Sequence, residues 1–140
     1  MRCLGLLSLA CALGAVGQPQ RPADTFSSSA GPVKITVIRH ASLMIEAGGK
    51  VIHVDPWSQG NYEGLPKADL ILITDIHGDH LDPKTIAQLR QPSTAVIAPE
   101  AVAKTVVDAK VIHNGEHTEW GDWKIEAIPM YNLKRGPSAG

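Results

Sequence analysis

Cysteine is almost absent from this chain of 140 residues: only Cys3 and Cys11 occur, and both lie in an apolar N-terminal segment. Without that segment the chain has no thiol, so disulfides and thiolate metal ligands are excluded. Aromatic residues make up only 4% of the sequence, which leaves no stacking platform for single-stranded nucleic acid. The net charge is −1 and Lys and Arg do not cluster, which argues against nucleic acid or an anionic membrane as a partner.

The motifs of several common enzyme classes are also missing. The chain has no G-x-S-x-G, no phosphate-binding loop and no dinucleotide fingerprint, so serine hydrolases, NTPases and dehydrogenases are excluded. The composition is ordinary for one globular domain, with 44% hydrophobic and 19% charged residues.

The N-terminus has the pattern of a secretory signal peptide. Arg2 precedes an apolar stretch at 4–16, and a small-x-small site at 15–17 precedes Gln18. The stretch is shorter than the roughly 20 residues that a membrane-spanning helix needs. We therefore expect a signal peptide at 1–17 and a secreted or periplasmic protein; lipidation at Cys11 and an uncleaved anchor rank behind it. Residues 18–32, rich in Pro, Ser and Ala, predict a flexible leader.

The most informative stretch is TDIHGDHLD, residues 74–82, which follows the apolar run ADLILI. The run predicts a buried strand, so Asp75, His77, Asp79 and His80 come at the C-terminal end of that strand. Imidazole and carboxylate donors together suit zinc, manganese or iron, and Asp79 is placed to orient a water or take its proton. The competing interpretation is a polar loop whose histidines bind backbone groups. Asp82 precedes a proline and predicts a helix N-cap.

This stretch resembles the H-x-H-x-D-H motif of the metallo-β-lactamase fold hydrolases. The segments VIRHASLMIEAGGKVIHVDPW and AIPMYNL resemble the branch that includes the ascorbate-phosphate lactonase-like enzymes, so the resemblance covers about residues 33–133. It implies an α/β fold that forms the N-terminal part of a four-layer αββα sandwich. It also implies one or two divalent metal ions, for which zinc and manganese are the first candidates and iron is the third. His77 would bind the first ion, and Asp79 and His80 the second. Asp75 stands where the motif has its first histidine, and is either a ligand or a group that orients one.

Two further residues are candidates for the surroundings of the metal. The resemblance implies that Asp55 is a buried aspartate that closes an early strand near the site. His40 lies at a strand end, and a contact with substrate and a purely structural role are both open. His53 alternates with apolar neighbours and predicts a structural or a solvated histidine. His113 and His117 flank Asn-Gly, so a turn is favoured over a separate metal site.

The remaining pattern predicts strands first and then strands that alternate with helices, which indicates an α/β layer. Strands are expected at 33–39, 43–47, 51–55, 68–74, 94–98, 111–113 and 123–129, and helices are expected to begin at Pro83 and at Pro99-Glu100 and to reach Val107.

These features predict a hydrolase in which metal-activated hydroxide attacks an ester, lactone, amide or phosphoester bond of a small molecule. The resemblance implies further ligands downstream of AIPMYNL, and the tail KRGPSAG contains no His, Asp or Glu. We therefore expect the N-terminal half of a longer hydrolase, in which residues 33–140 are the first part of the domain. The alternative is a truncated, non-catalytic fragment or weak metal-binding module, and an exposed sheet face would favour self-association.

Overall fold

The computed structural model describes residues 20–130, and most of them are organised around one mixed sheet. Its seven strands lie side by side in chain order. The first four strands are antiparallel, and the fourth to the seventh are parallel. The strands are β1 (Ala23–Ser28), β2 (Gly31–Arg39), β3 (Ser42–Ala47), β4 (Lys50–Val54), β5 (Leu70–Leu72), β6 (Ala95–Ala98) and β7 (Lys110–Val111).

Two helices and a hairpin complete the described part of the chain. Helix α1 spans Pro83–Leu89, α2 spans Glu100–Ala103, and strands β8 (His117–Trp120) and β9 (Trp123–Glu126) form a second, two-stranded antiparallel sheet. The α/β class is therefore confirmed. Within residues 20–130, no helix is long and apolar enough to cross a bilayer.

The apolar core lies on both faces of the large sheet because alternate strand residues point to opposite sides. On one face, Ile71 and Val96 pack with buried residues of the two helices, among them Ile86 and Val102. On the other face, Leu70, Ile52 and Ile97 pack against the hairpin tryptophans Trp120 and Trp123. Each fully buried aliphatic side chain stabilises the folded state by about 1.5–3 kcal/mol relative to an exposed one. A helical layer, the large sheet and a second sheet thus give three of the four layers of the predicted sandwich.

The flexible leader predicted for residues 18–32 is wrong from residue 23 onward. Strand β1 pairs with β2 over its whole length, from Ala23 opposite Thr36 to Ser28 opposite Gly31. All six side chains of β1 are exposed, so hydrogen bonding to the edge of β2 forms the strand without any apolar pattern in the sequence. The predicted signal peptide at 1–17 lies outside the described residues.

Other elements differ at their ends. The hairpin turn at Gly48-Gly49 is confirmed, with both residues at positive φ, whereas the second helix ends at Ala103 and not at Val107. Strand β8 was not predicted.

His53 has no exposed surface, so the solvated alternative for it is wrong. Its Nε2 lies 3.0 Å from the carbonyl oxygen of Pro66, and burial lowers the pKa of its imidazole.

Candidate metal centre

The loop after β5 turns back on itself before α1 begins. The backbone N–H groups of His80 and Leu81 both donate to the carbonyl of His77, at 2.9 and 2.8 Å. Asp82 then caps α1, because its Oδ1 accepts from the backbone N–H of Lys84 at 3.0 Å. Its Oδ2 accepts from the backbone N–H of Ser58 at 2.9 Å. The predicted N-cap is thus confirmed, and the same carboxylate ties the loop after β4 to the helix.

Three side chains that could hold a metal ion meet at this end of the sheet: His40, Asp79 and His80. One donor atom from each lies within 4.8 Å of the others. Asp79 Oδ2 is 3.0 Å from Nε2 of His40 and 4.0 Å from Nε2 of His80. Two imidazole nitrogens and a carboxylate oxygen form a donor set that zinc or manganese accepts. The described residues therefore fit a divalent cation.

Asp55 fixes the orientation of His80. The Asp55 side chain is 2% exposed, and its Oδ2 lies 2.8 Å from Nδ1 of His80. The carboxylate also accepts from the backbone N–H of Thr74 at 2.7 Å and from the Thr74 hydroxyl at 2.6 Å. A carboxylate can only accept from His80 Nδ1, so the proton of the neutral ring stays on Nδ1 and the lone pair of Nε2 faces Asp79.

Unusual backbone conformations place two of these residues. His40 has φ 52° and Asp55 has φ 44°, both in the left-handed region that few non-glycine residues adopt. The pairing of β2 with β3 shifts register between Val37 and Arg39, and a bulge of this kind redirects the side chains that follow it. The Ser42 hydroxyl donates to the carbonyl oxygen of Asp55 at 2.5 Å, which joins the start of β3 to the end of β4. The two turns are therefore held together beside the cluster.

Asp75 and His77 contact each other instead of the cluster. Nδ1 of His77 lies 2.8 Å from Oδ1 of Asp75, and the two side chains are 70% and 45% exposed. The same carboxylate oxygen accepts from the backbone N–H of Ile76 at 2.6 Å. In the structure these two side chains contact each other, and neither belongs to the group formed by His40, Asp79 and His80. Metal binding by Asp75 and His77 therefore stays a prediction.

An open pocket of about 520 Å³ adjoins the cluster. It is lined by Ile38, Arg39, His40, Trp57 and Asp79. Trp57 is held by its backbone N–H, which donates to the hydroxyl of the buried Tyr62 at 2.9 Å, and its ring meets the His40 ring edge-on with 6.2 Å between centroids. Burial raises the pKa of the Tyr62 hydroxyl, which therefore stays protonated at neutral pH.

Reasoning from the sequence missed the position of His40 as a candidate donor, and it missed Arg39 and Trp57 as pocket residues. The available signal was a histidine at a strand end, directly before a small residue and Ser42.

The turn predicted between His113 and His117 is confirmed, because the Glu116 N–H donates to the carbonyl of His113 at 2.9 Å.

Comparison with known proteins gives consistent matches. The model of the beta-lactamase superfamily domain matches residues 34–139. A metal-dependent hydrolase from Flavobacterium johnsoniae is 41% identical over 101 residues, which cover 67% of this chain and 44% of that protein. Another from Pyrococcus furiosus is 46% identical over 111 residues, which cover 72% and 47%. The chain thus spans less than half the length of these two relatives.

Solved structures agree with this result. The crystal structure of a protein from Parabacteroides distasonis, named for metal-dependent hydrolase activity, has a TM-score of 0.78 and 41% identity. The match covers 85% of this chain and 56% of that one. A metallo hydrolase from Ignicoccus hospitalis, with a TM-score of 0.61 and 20% identity over 74% of this chain, shares the fold. Since the family model matches most of its length, this chain belongs to the beta-lactamase superfamily domain family and has a metallo-β-lactamase-type fold.

Proposed function

We propose that this chain carries the ligand cluster of a metal-dependent hydrolase that acts on an ester, lactone, amide or phosphoester bond. The observation that carries the proposal is the meeting of His40, Asp79 and His80 at the end of β5, with Asp55 behind His80. The hydrolase names of the relatives support the reaction class. A bound divalent ion, zinc or manganese, would polarise the scissile bond and acidify a water.

The side chains of the cluster have separate roles in this proposal. His80 presents Nε2 because Asp55 occupies its Nδ1, and His40 presents its own Nε2 at 3.0 Å from Asp79 Oδ2. Asp79 brings one carboxylate oxygen to both histidines, and we assign to this carboxylate the orientation of the attacking water and the acceptance of its proton. The adjoining pocket is open enough to admit a small-molecule substrate.

Metal content and turnover test the proposal together. We expect zinc or manganese to remain on the wild-type chain after dialysis, and to be lost from His80→Ala and Asp79→Asn. His113→Ala is the matched control, since His113 is exposed and its turn is held by backbone groups. Hydrolysis of an ester, a lactone, an amide and a phosphoester should follow the metal. If His80→Ala and Asp79→Asn bind as much metal as His113→Ala does, the cluster is not the metal site.

The same measurement separates the ligands predicted from the loop motif. If Asp75 and His77 bind an ion, His77→Ala lowers the metal content or the affinity; if His40 takes that place, His40→Ala does so and His77→Ala does not. Inductively coupled plasma mass spectrometry measures the metal content, and competition with a chromophoric chelator measures the affinity.

A metal-binding module without catalysis is the second candidate. It is favoured by the extent of the match, because this chain spans less than half the length of the relatives from Flavobacterium johnsoniae and Pyrococcus furiosus. Weakly held metal without turnover of any of the four bond types would support it.

A further inference from the structure

We infer that Arg39 is a specificity residue that binds an anionic group, a carboxylate or a phosphate ester, on the substrate. The inference rests on the proposed hydrolase function. It starts from one juxtaposition: Arg39, which makes no hydrogen bond or ion pair within residues 20–130, lines the pocket that holds His40 and Asp79.

The backbone brings Arg39 to the pocket. It is the last residue of β2 and pairs with Ser42 across the turn that contains His40. The register shift that precedes it and the left-handed conformation of His40 set where both side chains project. Arg39 is exposed, and it lines the same pocket as the candidate ligands His40 and Asp79.

The other two arginines of the described residues are engaged. Arg90 forms an ion pair with Asp108. Arg21 donates to the backbone carbonyls of Asn61 and Glu63, at 3.0 and 2.7 Å. Within residues 20–130, Arg39 makes neither a hydrogen bond nor an ion pair, although Asp79 lies in the same pocket. The Asp79 carboxylate contacts His40 instead, at 3.0 Å.

The charges around the pocket favour an anion. Asp55 and Asp79 supply two negative charges, and the proposed divalent ion balances them while the histidine ligands are neutral. Arg39 then adds one positive charge that no described side chain neutralises. A guanidinium binds the two oxygens of a carboxylate or phosphate side by side, so it also orients the group that it binds.

The pocket walls define the rest of the substrate. Trp57 and Ile38 line the same pocket as Arg39 and give it apolar surface. A substrate with a short apolar body between its anionic group and its scissile bond fits these walls and the charge of Arg39 at once. Uncharged esters would fill the same space without using the guanidinium.

Iodide quenching of tryptophan fluorescence tests the charge without metal or turnover. Iodide is an anionic quencher, and Trp57 lines the pocket with Arg39. We expect the quenching constant of the Trp57 component to fall roughly twofold in Arg39→Gln, because the local anion concentration falls, and to be retained in Arg39→Lys. Trp57→Phe identifies that component. Neutral acrylamide should quench the Trp57 component of wild type and of both Arg39 variants equally. Lys104→Gln, which removes an exposed charge from the end of α2, should behave as wild type.

Turnover of matched esters tests specificity. Mono-p-nitrophenyl succinate carries a carboxylate, and p-nitrophenyl butyrate of similar length carries none. For the charged ester we expect Arg39→Gln to raise KM roughly tenfold, since a hydrogen bond to a charged group is lost. The KM of the neutral ester and kcat should not change, and Arg39→Lys should restore part of the KM. Competition by acetate and by methyl phosphate shows which anion is preferred.

The outcomes separate the two proposals. Equal changes of KM for both esters, or equal iodide quenching of wild type and Arg39→Gln, would overturn the role of Arg39. If wild type hydrolyses neither ester nor any other bond type, the hydrolase function fails, and the iodide comparison alone then decides whether Arg39 attracts an anion.

Discussion

Replacing Asp55 with Asn should weaken metal binding without changing any ligand. The Asp55 carboxylate accepts from Thr74 twice and from Nδ1 of His80. Asn has one accepting oxygen and one donating amide, so it cannot receive all three hydrogen bonds. If the oxygen stays on the Thr74 N–H, the amide faces the His80 ring. The His80 proton then moves to Nε2, the atom that faces Asp79, and that nitrogen no longer has a free lone pair.

Two magnitudes follow from this geometry. Loss of the partner that orients a metal-binding histidine lowers metal affinity by about 10- to 100-fold. A buried donor left without its acceptor destabilises the fold by about 1–3 kcal/mol, and Asp55 is only 2% exposed, so solvent does not replace the acceptor. We therefore expect a folded variant with a lowered unfolding midpoint and a zinc affinity that is lowered about 10- to 100-fold.

Chelator competition measures the zinc affinity, and urea denaturation at pH 7.5 measures the stability. Asp108→Asn is the control, because Asp108 is exposed and pairs with Arg90, which is not part of the cluster. Nitrogen-15 chemical shifts of the His80 ring report the tautomer directly. Zinc affinity equal to that of Asp108→Asn, with the His80 proton still on Nδ1, would refute the claim that Asp55 sets the tautomer.

Three further changes have defined outcomes. Leu70→Ala removes a side chain with no exposed surface from the sheet core and should lower the free energy of unfolding by about 2–5 kcal/mol, measured by urea denaturation. Burial lowers the pKa of His53 below 6.5, so the imidazole stays neutral in the folded state at a pH where it gains a proton in the unfolded state. The free energy of unfolding should therefore be highest above about pH 6.5 and decrease at lower pH. His53→Gln should reduce this decrease, measured between pH 7.5 and 5.5. Asp82→Ala removes the cap of α1 and should lower the free energy of unfolding by about 1 kcal/mol, measured by thermal denaturation. Unchanged stability would show that the hydrogen bonds from Ser58 and Thr85 to Asp82 do not stabilise the fold.

Features that depend on a few neighbouring residues could be predicted from the sequence. The apolar run 68–74 predicts β5, Gly48-Gly49 predicts the turn between β3 and β4, and Asp82 before proline predicts the start of α1. Each is set by local backbone preference and side-chain pattern, which the sequence displays directly.

Strand β1 could not be predicted, because its reason lies elsewhere in the chain. Its side chains are all exposed, and its hydrogen bonds come from the edge of β2. Strand β8 is similar: His117 and Glu119 are exposed, and only Thr118 and Trp120 turn partly inward, so four residues give too short a pattern. In both cases a partner strand fixes the element.

The cluster shows the same limit at the site itself. Asp75 occupies the motif position where a donor was expected, but its carboxylate accepts from the Ile76 N–H and contacts His77, so it is turned toward its own loop. His40 comes to the third place from the turn between β2 and β3, 35 or more positions away in sequence from Asp79 and its loop neighbours. Only the folded sheet brings these positions together.

Both residues that reach the site from strand ends, His40 and Asp55, adopt left-handed backbone conformations. His and Asp tolerate this conformation better than most residues, yet each still costs of order 1–3 kcal/mol and persists only where surrounding contacts enforce it. Here the Ser42 hydroxyl joins the two turns through the Asp55 carbonyl, and Thr74 holds the Asp55 carboxylate. Because the strain falls on the two residues that flank Asp79 and His80, the backbone of both strand ends is adapted to the cluster, which supports a binding role for His40 over a purely structural one.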